Sequence, residues 1–100
     1  MAEDPEYERK VLATFLRDGR IVQIPARHRK RMVLLRWLAE QFRPGERYPE
    51  DQVNELLTRY HDDRATLRRL LVDTELMQRQ DGYYWRAGTV PLRPRRPTGV

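Results

Sequence analysis

Apolar residues recur at helical spacing in four stretches of this chain, and two shorter runs read as extended chain. Over residues 6–18, "EYERKVLATFLRD", Tyr7, Val11 and Phe15 join Leu12 and Leu16 on one helical face. Gly19 ends that helix as a left-handed cap would. "RIVQIP", residues 20–25, is short, β-branched and stopped by Pro25, which predicts one strand. "RHRKRMVLLRWLAEQF" is the next helix, with Leu35, Leu38, Ala39 and Phe42 on one face, and Pro44 and Gly45 break it. Val33 and Trp37 form a second apolar stripe on its opposite side, so that helix has two neighbours. The first helix is the simplest second neighbour, and a dimer partner is the other candidate.

Pro49 stands where a first helical residue should, and Glu50 and Asp51 suit the positive end of a helix. Val53, Leu56, Leu57 and Tyr60 then form one stripe at i, i+3, i+4 and i+7. After His61, Asp62 or Asp63 can accept from the free N–H groups of a following helix, whose inward face is Leu67, Leu70 and Leu71. Asp81-Gly82 between "LMQRQ" and "YYWR" predicts a two-residue hairpin, because both positions tolerate positive φ. From Ala87 the chain turns to "AGTVPLRPRRPTGV", with three prolines and hardly a core residue.

Helix, extended link, helix, turn, helix and hairpin is the order of a winged helix-turn-helix unit. The expected fold is therefore mainly α with a small β component, a winged helix extended by an N-terminal helix and strand. Residues 1–5 are expected to be a disordered N-terminus, 6–27 the added helix and strand, 28–87 the winged-helix unit and 88–100 a disordered basic tail. The helix at 63–75 occupies the recognition position. "GRIVQIP", "RYPEDQVNELL", "HDDRATLRRLLVD" and "DGYYWR" resemble, in order, the motifs of a small bacterial family catalogued as a domain of unknown function. The resemblance covers about residues 6–86. It implies bacterial origin and, because that domain also occurs fused behind ArsR-type winged-helix regulators, a link to transcription regulation. It brings no catalytic motif.

Composition narrows the function without choosing it. Cysteine is absent, which removes disulfides, thiolate metal sites and cysteine nucleophiles together. No apolar run approaches the roughly 20 residues of a membrane span. The opening "MAEDPEYERK" is too acidic for a secretory signal, so a cytoplasmic protein is expected. His28 and His61 are the only histidines, and their separation fits no metal or triad pattern. A non-catalytic chain without cofactor or metal follows as the expectation. The net charge of +5 is misleading, since residues 1–27 balance and residues 28–86 carry ten acids against twelve bases. Arg93, Arg95 and Arg96 in the tail supply most of the excess.

Two function classes remain. The first is a nucleic-acid-binding, transcription-regulator-like module with DNA as ligand. "RHRKR" contributes Arg27, Arg29, Lys30 and Arg31, cations crowded at a helix start where the dipole favours anions. With Leu67, Leu70, Leu71 and Thr74 inward, Asp62, Ala65, Arg69, Val72 and Asp73 turn outward, two aspartates that phosphate would repel among them, and Arg68 lies at the flank. Arg64 and Thr66 stand near that helix start within reach of phosphate, and Arg79 and Arg86 belong to the hairpin. The second class is a protein-interaction or dimerisation module on the same frame, using Val33, Trp37, Ala65 and Val72, with a second copy or a regulator as partner. A positive, concave surface on the outward face of the fourth helix favours nucleic acid, and a flat apolar patch favours protein.

Overall fold

The computed structural model describes residues 4–88, which form four helices and two small antiparallel sheets. The expected tail at 88–100 lies, from residue 89 onward, outside the described residues, as do residues 1–3. Helix α1 spans Pro5–Phe15. The Asp4 carboxylate accepts from the Glu6 N–H at 3.0 Å, and Pro5 occupies the first helical position, where its missing N–H costs nothing. The helix thus starts within the stretch expected to be a disordered N-terminus.

It also stops earlier than its apolar spacing predicts. Leu16–Arg17 (β1) and Arg20–Ile21 (β2) pair antiparallel, with Leu16 opposite Ile21 and Arg17 opposite Arg20. Asp18 and Gly19 make the turn at φ 54° and 78°. Gly19 is therefore a hairpin residue and not a helix cap, and the single strand expected over 20–25 is half of a short hairpin. The physical reason is the one that shapes the other hairpin: Asp-Gly accepts two successive positive φ values, and such a turn matches the twist of its flanking strands. Asp81 and Gly82, at 55° and 81°, repeat it.

Helix α2, His28–Ala39, is the centre of the molecule and buries Val33, Leu34, Leu35, Leu38 and Ala39. Phe42, just beyond it, is also buried and meets Tyr48 edge-on at 5.1 Å between ring centroids. The Tyr48 hydroxyl accepts from the Arg43 N–H at 2.8 Å, which closes the loop between α2 and the next strand. That strand, β3, is Tyr48–Pro49, followed at once by α3, Glu50–Thr58. Pro49 is extended at the cap position, one place ahead of the expected first helical turn. Helix α4 covers Arg64–Asp73, then β4 (Met77–Gln80) and β5 (Tyr83–Arg86) form the second hairpin.

The three-stranded sheet has the order β3-β5-β4, with Tyr48 opposite Tyr84 and Arg79 opposite Tyr84 on the other side. Side chains alternate across a strand. Tyr48, Tyr84 and Met77 thus face the helices and are buried with Leu35, Leu38, Phe42, Val53, Leu57, Leu67 and Leu71. This one core holds α2, α3, α4 and the sheet together. Helix α1 covers the far side of α2, where Val11 and Val33 are both buried and Glu8 approaches Arg36 at 4.0 Å.

Candidate nucleic-acid interface

The turn into α4 is built from side chains that satisfy the free N–H groups of a helix start. Asp63 is the cap: its carboxylate accepts from the Thr66 N–H at 3.2 Å and from the Thr66 hydroxyl at 2.8 Å. These two bonds, with the nearby positive charge of Arg69, hold the Asp63 carboxyl below the usual aspartate range. His61 Nδ1 accepts from the Asp63 N–H at 2.9 Å, so His61 serves the turn. Arg20 secures the same turn from β2, donating to the Thr58 and Arg59 carbonyls, each at 3.1 Å, and to Asp62 at 3.0 Å.

On α4 beyond its cap, Ala65, Arg69 and Asp73 are exposed, and Arg68 and Val72 are half-buried. Together with Arg79 and the edge of Tyr84 they line a groove of about 260 Å3 between α4 and the sheet. Three arginines and one carboxylate residue, Asp73, are thus among its lining. Arg68 donates to the Asn54 side-chain oxygen on α3, which fixes its direction. Arg79 is exposed on β4. Tyr84 forms the floor, its hydroxyl donating to Glu50 at 2.9 Å; burial first, and then that carboxylate, push its pKa up.

The other expected contacts are distributed differently. Arg27 is exposed at the start of α2, and Arg64 is exposed at the start of α4. Arg29 lies 4.0 Å over the Tyr7 ring, and Lys30 borders a small cleft lined by Tyr7, Val11 and Phe15. Arg31 is half-buried, with its Nε enclosed and without a hydrogen-bond partner. The "RHRKR" cluster is thus divided, with Arg29 and Lys30 turned toward α1. Thr66 is engaged by Asp63, and Arg86 donates to the Phe42 carbonyl at 3.2 Å, tying the sheet to the end of α2.

Of the residues expected at a protein interface, Val33 is 3% exposed inside this chain. Trp37 is half-buried and meets Tyr60 edge-on at 5.3 Å. It also lines a cleft with Glu8, Leu12 and Val33, so α1 borders the second stripe of α2 while the Trp37 ring itself packs on Tyr60. Ala65 and Val72 remain, both in the α4 groove. The sequence reading did not single out Arg20, Asn54 or Arg47. The first two act through long-range contacts that periodicity does not reveal, and Arg47 sits in a loop whose partners come from β5.

Among the described residues no cluster of histidine, cysteine and carboxylate groups could hold a metal ion, and no helix is long and apolar enough to cross a membrane. No curated protein and no solved structure matches the chain. A bacterial family model does match it, over residues 20–86, which begins at the strand carrying Arg20 and leaves α1 and β1 outside. The chain belongs to that family, described as an uncharacterized protein conserved in bacteria (DUF2087).

Proposed function

We propose that this chain is a nucleic-acid-binding, transcription-regulator-like winged-helix module whose ligand is duplex DNA. The observation that carries the reading is the groove between α4 and the sheet, whose lining holds Arg68, Arg69 and Arg79 with a single carboxylate residue, Asp73. Support comes also from the order α2, β3, α3, α4 and hairpin, with β3 pairing onto the hairpin, the order expected of a winged helix. In that frame α4 is the recognition helix and β4–β5 the wing. The motifs that resemble a domain fused behind ArsR-type regulators point the same way.

The reading has a definite chemistry. Phosphates supply affinity through Arg64, Arg69 and Arg79, with Arg68 at the flank, and Arg69 is the side chain best placed to reach a base edge. The module is non-catalytic, needs neither cofactor nor metal, and works in the cytoplasm. Three to four phosphate contacts correspond to a log–log salt slope of about −3 to −4. A fluorescence-anisotropy titration of a random-sequence duplex over a salt series tests it, repeated on a chain ending at Gly88 because Arg93, Arg95 and Arg96 bind any polyanion. Binding that disappears with those three arginines, while the fold persists, would replace this reading with the protein-interaction one.

A further inference from the structure

Arg47 is a cation without a carboxylate among the described residues, held instead on two aromatic rings. Its guanidinium carbon lies 5.1 Å from the Tyr83 ring centroid and 5.3 Å from that of Trp85. Its Nε is enclosed and makes no hydrogen bond. Tyr83 is 43% exposed and immediately follows the Asp81-Gly82 turn, at the tip of the hairpin. Trp85 is buried, and its indole N–H donates to Gln78 at 2.8 Å, so the platform under Arg47 is rigid.

The faces of the sheet give this arrangement its meaning. Arg79 lies opposite Tyr84, whose side chain turns to the core, so Arg79 belongs to the α4 side of the sheet. Tyr83 and Trp85 alternate with Tyr84 and stand on the other face, where Arg47 covers them. The hairpin therefore has Arg79 and Arg86 on its α4 side, Arg86 tied to the Phe42 carbonyl, while Arg47 from the loop before β3 lies over its other face. A stacked guanidinium is weakly hydrated and pre-oriented, and it keeps its charge for a phosphate.

We infer that Arg47, seated on Tyr83 and Trp85, is a second phosphate contact of the hairpin, so that the hairpin engages the backbone of duplex nucleic acid with Arg79 on one face and Arg47 on the other. The inference rests on the nucleic-acid reading of the α4 groove and adds a surface that the groove does not include.

The test is an anisotropy titration of the full chain with a fluorescein-labelled random-sequence duplex at about 50 and about 200 mM salt, a range that spans most of the counterion effect. Arg47→Met keeps the apolar stem over the rings and removes the charge; Arg47→Gln repeats the change in case the thioether fails to pack; Arg47→Lys restores the charge. One lost phosphate contact lowers the slope by about 0.9, so the added salt should weaken the wild type about 3.5-fold more than the Met or Gln variant. Arg47→Lys should recover most of the wild-type slope. If the Met and Gln variants fold and keep the full slope while Arg69→Ala loses part of it, the outer contact is wrong and the groove reading stands. If the wild type shows no salt-dependent duplex binding, both fall.

Discussion

Arg20 and Asp62, 42 positions apart, meet at 3.0 Å, while the other terminal nitrogen of Arg20 donates to the last carbonyls of α3. The carbonyl contacts matter more than the ion pair. Both charged groups are substantially exposed, with side-chain exposures of 48% and 95%, and water screens such pairs to a median near zero. The carbonyls of Thr58 and Arg59 are helix-end acceptors that α3 cannot satisfy by itself, and a cation there also meets the negative end of the helix dipole. Arg20→Ala should therefore lower unfolding stability by about 1 kcal/mol, and Asp62→Ala by less than about half of that. Urea denaturation of both variants decides it, and equal losses would show that the ion pair dominates.

The cap of α4 gives the fold a predictable acid sensitivity. Bonds from the Thr66 hydroxyl and N–H hold the Asp63 carboxyl below the range of an unfolded-chain aspartate. A lowered carboxylate pKa stabilises the fold above the ordinary value near 3.9, and the contribution is lost as pH falls through the folded value. Asp63→Asn, which can still accept from the helix start, should remove that portion of the acid dependence with a small change in melting temperature at pH 7. Asp63→Ala should lower the melting temperature at pH 7 as well. Melting curves from pH 2.5 to 7 provide the comparison, and an unchanged acid limb in the Asn variant would assign it to other carboxylates.

At alkaline pH the informative group is Tyr84. Burial, and then its hydrogen bond to Glu50, raise the hydroxyl above the ordinary tyrosine value. The neutral phenol is the form the fold favours, so its stabilisation is complete below about pH 10 and is lost as pH rises through the folded value. Ultraviolet titration should show one of the five tyrosines ionising later than the rest, coupled to unfolding. Tyr84→Phe should abolish the late step. A wild-type titration with a single ordinary midpoint would contradict this placement of the ring.

Much of the fold was legible because its signals are local. The stripe at Val53, Leu56, Leu57 and Tyr60 and the inward leucines of α4 lie where 3.6-residue periodicity puts them. The cap at Asp63 and the turn at Asp81-Gly82 follow from side-chain chemistry within four residues. Asp18-Gly19 carried the same signal as Asp81-Gly82, but the apolar spacing of α1 runs on through Leu16 and favoured a longer helix. The site was less legible. Whether Arg29, Arg47 or Arg86 points to solvent, to a ring or to a carbonyl depends on partners from other elements, and no spacing rule reports those.

That distribution of arginines leads to a prediction that separates the groove from the α2 cluster. Arg69 is exposed in the groove, and Arg29 stands over Tyr7 of α1 and is not among the groove's lining. Arg69→Ala should reduce affinity for a preferred sequence and reduce discrimination among sequences by about 1–3 kcal/mol, as expected for a side chain reading a base edge. Arg29→Ala should leave both affinity and salt slope nearly unchanged, although composition alone would assign it a phosphate. Asp73 supplies the opposite sign in the same groove, where a phosphate would be repelled. Asp73→Asn should therefore strengthen duplex binding at low salt and lose that advantage as salt screens the charge. A pool of duplexes selected on the wild type and then titrated against each variant supplies the measurement. If Arg29→Ala weakens binding while Arg69→Ala and Asp73→Asn do not change it, the interface lies along α1 and α2, and α4 is not a recognition helix.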